Sequence, residues 1–346
     1  MIPVFQTAIE SWYLHNKRDL PWRASNNPYD IWLSEIILQQ TRVDQGISYY
    51  LKFKNSFPSV QDLANAAEQE VLLLWQGLGY YSRARNLHKA ARMVVQDYQG
   101  KFPEDYQSLL QLPGVGPYTA AAIASIAYGL PHAVVDGNVY RVLARFFGID
   151  TPIDKPAGRR QFEKLANQLI QNRKPAVYNQ ALMEFGALHC KPVNPLCDRC
   201  PLAAHCLALA NRTISLLPVK AGKKSTRVRY FDYFVPLLPN RNTIIRQRPA
   251  GDIWQGLWEF PLVQGDEQSL HPNPPEFLPV VDWNLFGSQM IHKLTHQQLY
   301  TRFFLAHSPV PNAIPEGYQQ ISISALDRHP FPVLISNFIH HFQHMV

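Results

Sequence analysis

Sulfur is scarce in this chain: 346 residues contain four cysteines and five methionines, and all four cysteines fall between Cys190 and Cys206. With no cysteine elsewhere, a disulfide framework spanning the fold is excluded, because bonds among these four would close only two small local loops. An export leader is lacking too. The first residues, MIPVFQTAIESW, do not show the basic-then-apolar layout of a signal segment, so a cytoplasmic location is expected. Nor does any apolar run suffice to cross a bilayer, since the longest uncharged stretch, Gln107 to Val135, is broken by Pro113, Gly114, Gly116, Pro117, Gly129 and Pro131. Acidic residues are outnumbered, 26 against 33 Lys and Arg. The surplus is uneven: from Arg229 onward there are 7 basic against 9 acidic residues, and before it 26 against 17. A basic first two-thirds suits a polyanionic partner.

What is present is more specific. The cysteines follow C-x6-C-x2-C-x5-C within 17 residues, and four convergent thiolates are a ligand set for zinc or for an iron–sulfur cluster. The spacing of apolar residues predicts helices over Val4 to Asn16, Ile31 to Phe57, Val60 to Ala67, Glu68 to Gln76, Ser82 to Tyr98, Tyr106 to Leu110, Tyr118 to Ala127, Val139 to Phe147, Arg159 to Ile170 and Ala176 to Ala187. An all-α domain over 1–215 is therefore expected. A basic, pattern-free linker follows at 216–228. Beyond it, Arg229 to Leu238, Thr243 to Arg248 and Leu299 to Ala306 read as strands, which predicts a small sheet domain with a few helices over 229–346.

Three features point to chemistry. Leu112-Pro113-Gly114-Val115-Gly116 sits between two predicted helices, where glycines permit a tight turn and backbone N–H groups at a helix start favour a phosphate oxygen. Glu35 shares a helix face with Ile31 and Leu38, and a carboxyl held against aliphatic surface has a raised pKa. At its reference value near 4.3, only about one molecule in 500 would be protonated at neutral pH, a cost of roughly 3.7 kcal/mol, and burial lowers that cost. Glu35 is thus a candidate general acid. Taken alone, such a residue is also explained as a stripe-edge glutamate paired with a core arginine. Asp136 ends the apolar run Ala133-Val134-Val135, and it or Asn138 is expected to cap the next helix, where N–H groups favour its ionised form. One carboxyl pushed up and one held down is how a site cleaves a glycosidic bond.

Leu112-Pro-Gly-Val-Gly-Pro-Tyr-Thr119, Val135-Asp-Gly-Asn-Val-Tyr-Arg141 and the cysteine pattern resemble the endonuclease III superfamily of DNA glycosylases. Within it, Leu20-Pro-Trp-Arg23, Trp32-Leu-Ser-Glu35, Leu38-Gln-Gln-Thr-Arg42 and Gly77-Leu-Gly-Tyr-Tyr-Ser-Arg83 are similar to the MutY adenine DNA glycosylases. The resemblance implies a helix-hairpin-helix at about 108–128, with Leu112, Gly114 and Gly116 against DNA, and a [4Fe–4S] cluster on Cys190, Cys197, Cys200 and Cys206. It implies Glu35 as the acid toward adenine N7, Asp136 as the anion beside the sugar cation, supported by Asn138, and Trp22, Arg23 and Gln180 around the flipped base. Gln40 and Tyr80 match residues that wedge into the duplex. Glu184 is expected to be structural.

Tyr118 occupies the place where backbone-cutting relatives carry a lysine, so the resemblance implies a monofunctional enzyme that leaves an abasic site. Ile253-Trp-Gln-Gly-Leu-Trp-Glu-Phe-Pro261 is similar to the MutT-like (Nudix-fold) domain that reads 8-oxoguanine, but the Glu-rich Mg²⁺ helix of a hydrolase is missing, and Leu294-Thr295-His296 replaces the family's Phe-Ser-His loop. The implied partner is duplex DNA carrying A·8-oxoguanine or A·G, bound by a monomer, with no membrane and with the nucleoid as its place of work. A thymine glycosylase acting on G·T and a catalytically silent damage-binding protein are the alternatives. Whether the hairpin carbonyls also hold a monovalent cation is left open by the sequence.

Overall fold

The computed structural model describes residues 1–222, 226–269, 272–279 and 281–343. Residues 223–225 of the expected linker and 344–346 of the last segment lie outside the described residues. The chain forms two compact units, one of Met1–Asn65 with Asn86–Gly222 and one of Ala66–Arg85 with Lys223–Val346.

The first unit is helical: α1 (Ile2–Asn16), α2 (Pro28–Leu38), α3 (Val43–Ser56) and α4 (Val60–Asn65), then, after α5 (Glu68–Leu74) of the second unit and α6 (Ser82–Asp97), in which the division falls, α7 (Tyr106–Leu109), α8 (Pro117–Ile126), α9 (Gly137–Phe147), α10 (Pro156–Leu169), α11 (Pro175–Leu188) and α12 (Leu207–Ala210). Phe5 and Ile9 of α1 join Val142 and Phe146 of α9, Phe162 and Leu169 of α10, and Tyr178, Leu182 and Phe185 of α11 in one buried core.

Two local findings differ from the sequence reading. The helix expected from Ile31 to Phe57 is two helices, because the polar run Gln39-Gln40-Thr41-Arg42 leaves helical geometry and exposed Gln40 takes a left-handed φ of 59°. In addition, α2 is buried on every side from Ile31 to Ile37, so Glu35 lies inside a packed helix and not on the edge of a stripe. Asn27 caps this helix by accepting from the Tyr29 N–H, and Pro28 occupies its first turn.

The second unit is built on β1 (Arg227–Leu237), which pairs in parallel with β7 (Gln297–His307) and antiparallel with β4 (Leu262–Gly265); β5 (Asn284–Leu285) and β6 (Met290–Lys293) pair with β7. A three-stranded sheet orders β3 (Trp258–Glu259), β2 (Asn242–Gln247) and β8 (Tyr318–Ser322). Along β1, Phe231, Tyr233 and Val235 pack with Phe338 and Phe342 of the last helix, α13 (Val333–Gln343), while Phe234 packs with Trp283 and Phe304. Both faces of β1 are covered, which is why it reads as a nearly continuous apolar run. This is the α+β arrangement expected of the second segment.

In the hairpin between α7 and α8, the two glycines are not equivalent. Gly114 has φ +77°, and a Cβ there would stand 2.9 Å from the Asn86 Cβ; Gly116 caps α8 at φ −90° with open space around it. Gly114→Ala is therefore expected to cost about 1–3 kcal/mol of stability and to weaken duplex binding, whereas Gly116→Ala stays near wild type. Thermal unfolding and a duplex titration of the two variants check this pair.

Candidate active site

One cavity of about 200 Å³ in the first unit collects residues that lie far apart in the chain. Glu35 and Ser34 reach it from α2, Trp22 and Arg23 from the turn before that helix, Tyr118 from α8, Asp136 and Asn138 from the start of α9, and Gln180, Met183, Glu184 and Ala187 from α11. The last four repeat at helical spacing, so α11 presents a single face to the cavity.

The two carboxyls have different surroundings. Glu35 is only 8% exposed and makes no ion pair among the described residues. Burial pushes its carboxyl up to about 7; the Tyr118 hydroxyl pulls it back, the charge of Asp136 adds to the rise, and Arg23 opposes it. At neutral pH such a group is a competent proton donor. Asp136 caps α9: one carboxylate oxygen accepts from the Val139 N–H at 2.7 Å and the other from Asn138 Nδ2 at 2.7 Å. The direction of its shift corrects the sequence expectation. Burial raises the Asp136 pKa as well, and the Val139 and Asn138 donors offset that rise without reversing it, because the cap points into the cavity and not into water. Tyr118, deeply shielded, is held well above the usual phenol range by burial, with Glu35 and Asp136 adding to it.

The carboxylate paired with arginine is Glu184, not Glu35. Arg18 binds it through its backbone N–H at 2.9 Å and through Nε and Nη2 at 2.8 Å, and Arg23 Nη2 adds a bond of 2.9 Å. Burial alone would raise this carboxyl, yet the two guanidiniums hold it down to about 2. Glu184 thereby locks Arg23 at the wall of the cavity. Gln180 is oriented by Tyr13, whose hydroxyl donates to Gln180 Oε1 at 3.1 Å, leaving the amide NH₂ to face a ligand. Tyr13, Arg18 and Met183 were not singled out in the sequence; only their helical or turn register relative to Gln180, Arg23 and Glu184 carries a signal.

Two other residues complete the frame. Arg141 donates to Asn138 Oδ1 at 2.8 Å, to the Gly186 carbonyl at 2.8 Å and to the Cys190 carbonyl at 2.7 Å, tying the Asp136–Asn138 cap to α11 and to the cysteine loop. Gly186 lets α11 approach that cap: a Cβ at 186 would stand 2.6 Å from the Asn138 Cβ and 2.9 Å from its carbonyl oxygen.

Cys190, Cys197, Cys200 and Cys206 line a separate cavity of about 30 Å³ together with Leu196, Leu209 and Ile214. Burial pushes the Cys200 thiol up to about 11, so thiolates here require a cationic partner such as iron. Arg145, 2% exposed, donates to the carbonyls of Lys191, Pro192, Ile214 and Leu217 and lies 3.5 Å from Cys190 Sγ, which fixes the loop around this space.

The remaining residues lie elsewhere. Gln40, Leu112, Gly114 and Gly116 belong to the first unit but do not line the main cavity. Tyr80, 44% exposed and left-handed at φ 48°, lines a cavity of about 610 Å³ in the second unit with Thr295, His296 and Trp254. The Tyr80 and Thr295 hydroxyls are hydrogen-bonded there.

Residues 33–168 match the HhH-GPD superfamily of base excision DNA repair proteins, 190–206 the iron-sulfur binding domain of endonuclease III, and 233–341 the NUDIX domain. An adenine DNA glycosylase of Buchnera aphidicola subsp. Baizongia pistaciae is 36% identical over 86% of this chain and 84% of its own length. The chain belongs to the adenine DNA glycosylase family. The adenine DNA glycosylase of Mus musculus is 34% identical over 91% of this chain and 73% of its own. This family member is thus a DNA N-glycosylase of base excision repair, and its cysteine loop is a [4Fe–4S] site. Among solved structures, a thermostable thymine-DNA glycosylase shares 32% identity at a TM-score of 0.57, covering 61% of this chain and 97% of that one. An endonuclease III–DNA complex, at 23% identity and a TM-score of 0.53 over 61% of this chain and 98% of that one, shares the fold.

Proposed function

We propose that this glycosylase, acting as an intracellular monomer, removes adenine that faces 8-oxoguanine or guanine in duplex DNA and leaves an intact abasic strand. The observation that carries the reading is the common cavity of Glu35 and Asp136. With an extruded adenine in it, protonated Glu35 delivers its proton to N7, the C1′–N9 bond breaks with its electron pair moving to the purine, and the Asp136 carboxylate stabilises the sugar cation until water adds at C1′. Asn138 keeps the Asp136 oxygens in place, while Trp22, Arg23 and the Gln180 amide hold the flat base. Leu112, Gly114 and Gly116 bring backbone N–H groups of the hairpin toward phosphates, and Gln40 and Tyr80 enter the base stack. The bound cluster supplies structural cross-linking of the loop, and glycosidic hydrolysis needs no electron from it.

Tyr118 has no amine to attack the sugar, which supports a hydrolytic enzyme without lyase chemistry. For the second unit the reading is a lesion reader: Thr295, His296 and Tyr80 share a cavity, and Glu259, the buried acid of β3, is committed to Arg246 and Arg248 and not to a metal. The second reading, thymine excision from G·T, is favoured by the thermostable structural relative.

Single-turnover assays on duplexes with A opposite 8-oxoguanine, A opposite G and T opposite G decide between them. The adenine strand is expected to break only after alkali, fastest opposite 8-oxoguanine, and Thr295→Ala with His296→Ala is expected to narrow the gap between 8-oxoguanine and G by about tenfold. Faster thymine release supports the second reading, and breakage without alkali contradicts the role given to Tyr118.

A further inference from the structure

Met183 occupies the centre of the α11 face that lines the adenine cavity, and its Sδ lies 3.6 Å from the Tyr118 hydroxyl, within reach of a weak O–H···S bond. The same hydroxyl also interacts with the Glu35 carboxyl. A phenol has one hydrogen to donate, so sulfur and carboxyl compete for it. Burial keeps Tyr118 protonated throughout the working range, so that hydrogen is always available.

We propose that Met183 is a positioning residue for the glycosidic step, its sulfur drawing the Tyr118 hydrogen partly away from Glu35 in the resting site so that Glu35 better keeps its own proton for the purine. The proposal rests on the reading of Glu35 as the acid. A bond from Tyr118 to Glu35 favours the carboxylate, and each share of that hydrogen taken by sulfur weakens the pull, so that burial and the Asp136 charge, which both favour the protonated form, prevail. Tyr118 faces Glu35 from α8, Asp136 from the cap of α9 and Arg23 from the turn before α2; Arg18 and Glu184 line the same cavity from the first unit's other walls. Of these, Arg23 favours the anion, and its guanidinium is bound to Glu184. Once the Glu35 proton has passed to adenine, the hydroxyl turns from the weak thioether acceptor to the new carboxylate. That bond is then stronger in the transition state than in the ground state, which is the condition for acceleration.

The test is the pH profile of single-turnover adenine excision. Met183→Leu, which keeps the bulk and removes the acceptor, is expected to move the alkaline limb to lower pH by about half to one unit, a loss of about three- to tenfold on that limb, with duplex affinity unchanged. In a Tyr118→Phe background the same change is expected to leave the limb where it is. Tyr118→Phe alone lowers the plateau and, by removing the remaining pull on Glu35, moves the limb modestly to higher pH. An unmoved limb in folded Met183→Leu, or equal displacement in both backgrounds, overturns the proposal; so does a displacement of the limb to lower pH in Tyr118→Phe alone, a reading that does not depend on Met183→Leu folding. Full activity of Glu35→Gln would instead remove the acid itself, and so marks failure of the underlying assignment.

Discussion

Glu35→Gln is expected to lower adenine excision by about 10³-fold while making the folded protein more stable. The loss follows from removing the carboxyl proton that the proposed mechanism delivers to the base. The gain follows from the same burial that makes Glu35 an acid. Below about pH 4.5 the carboxyl is protonated whether the chain is folded or not; between 4.5 and about 7 the unfolded chain releases the proton first, so stability falls as pH rises; above about 7 a constant deficit remains, about 3 kcal/mol by linkage. Glutamine carries no such deficit. Thermal unfolding at about pH 5 and about pH 8 should therefore show a difference between variant and wild type that grows with pH. In the wild type, excision should fall about tenfold per unit above pH 7, as protonated Glu35 is lost. Undiminished excision by the variant, or a stability difference that shrinks toward alkaline pH, would rule out a strained acid at this position.

Asp136→Asn is expected to lose about 10³-fold in excision with little change in stability or duplex affinity. Asparagine caps a helix as well as aspartate, so the Val139 N–H keeps an acceptor and α9 keeps its start. What is lost is the negative charge beside C1′, which matters only as the sugar becomes cationic. Since burial raises the Asp136 pKa, the acid limb of the wild-type profile should lie above the ordinary aspartate range: activity falls as pH drops and the carboxylate takes up a proton. Retention of more than about a tenth of wild-type excision in a folded variant would show that the anion is dispensable.

Much of this site was legible because its residues sit in short motifs whose local geometry is determined locally. The Asp136 cap follows from an Asp-Gly-Asn before an apolar helix, and the left-handed Gly114 follows from a Pro-Gly turn. Distances between motifs were not legible from spacing. Glu35 taken alone also admitted an arginine partner, yet the arginines meet Glu184, the acid expected to be structural, because nothing local tells which acid Arg18 and Arg23 will meet from more than 160 positions away. The break at Gln40 was hidden by apolar residues on both sides that keep helical phase. Similarly, the grouping of Ala66–Arg85 with the sheet-bearing unit is a tertiary event, and its own pattern is that of any amphipathic helix pair. The sign of the Asp136 shift depends on how much protein covers the cap, a quantity that no dipeptide encodes.

Gly186 does not line the cavity, yet its bare α-carbon sets the gauge of the chamber. The walls bearing Gln180 and Asp136 stand as near as they do because no methyl group intervenes between the two backbones. A chain of this lineage that came to accept a bulkier damaged base could widen its chamber from behind, by a single added carbon at this crossing, while every residue in view of the substrate stayed the same.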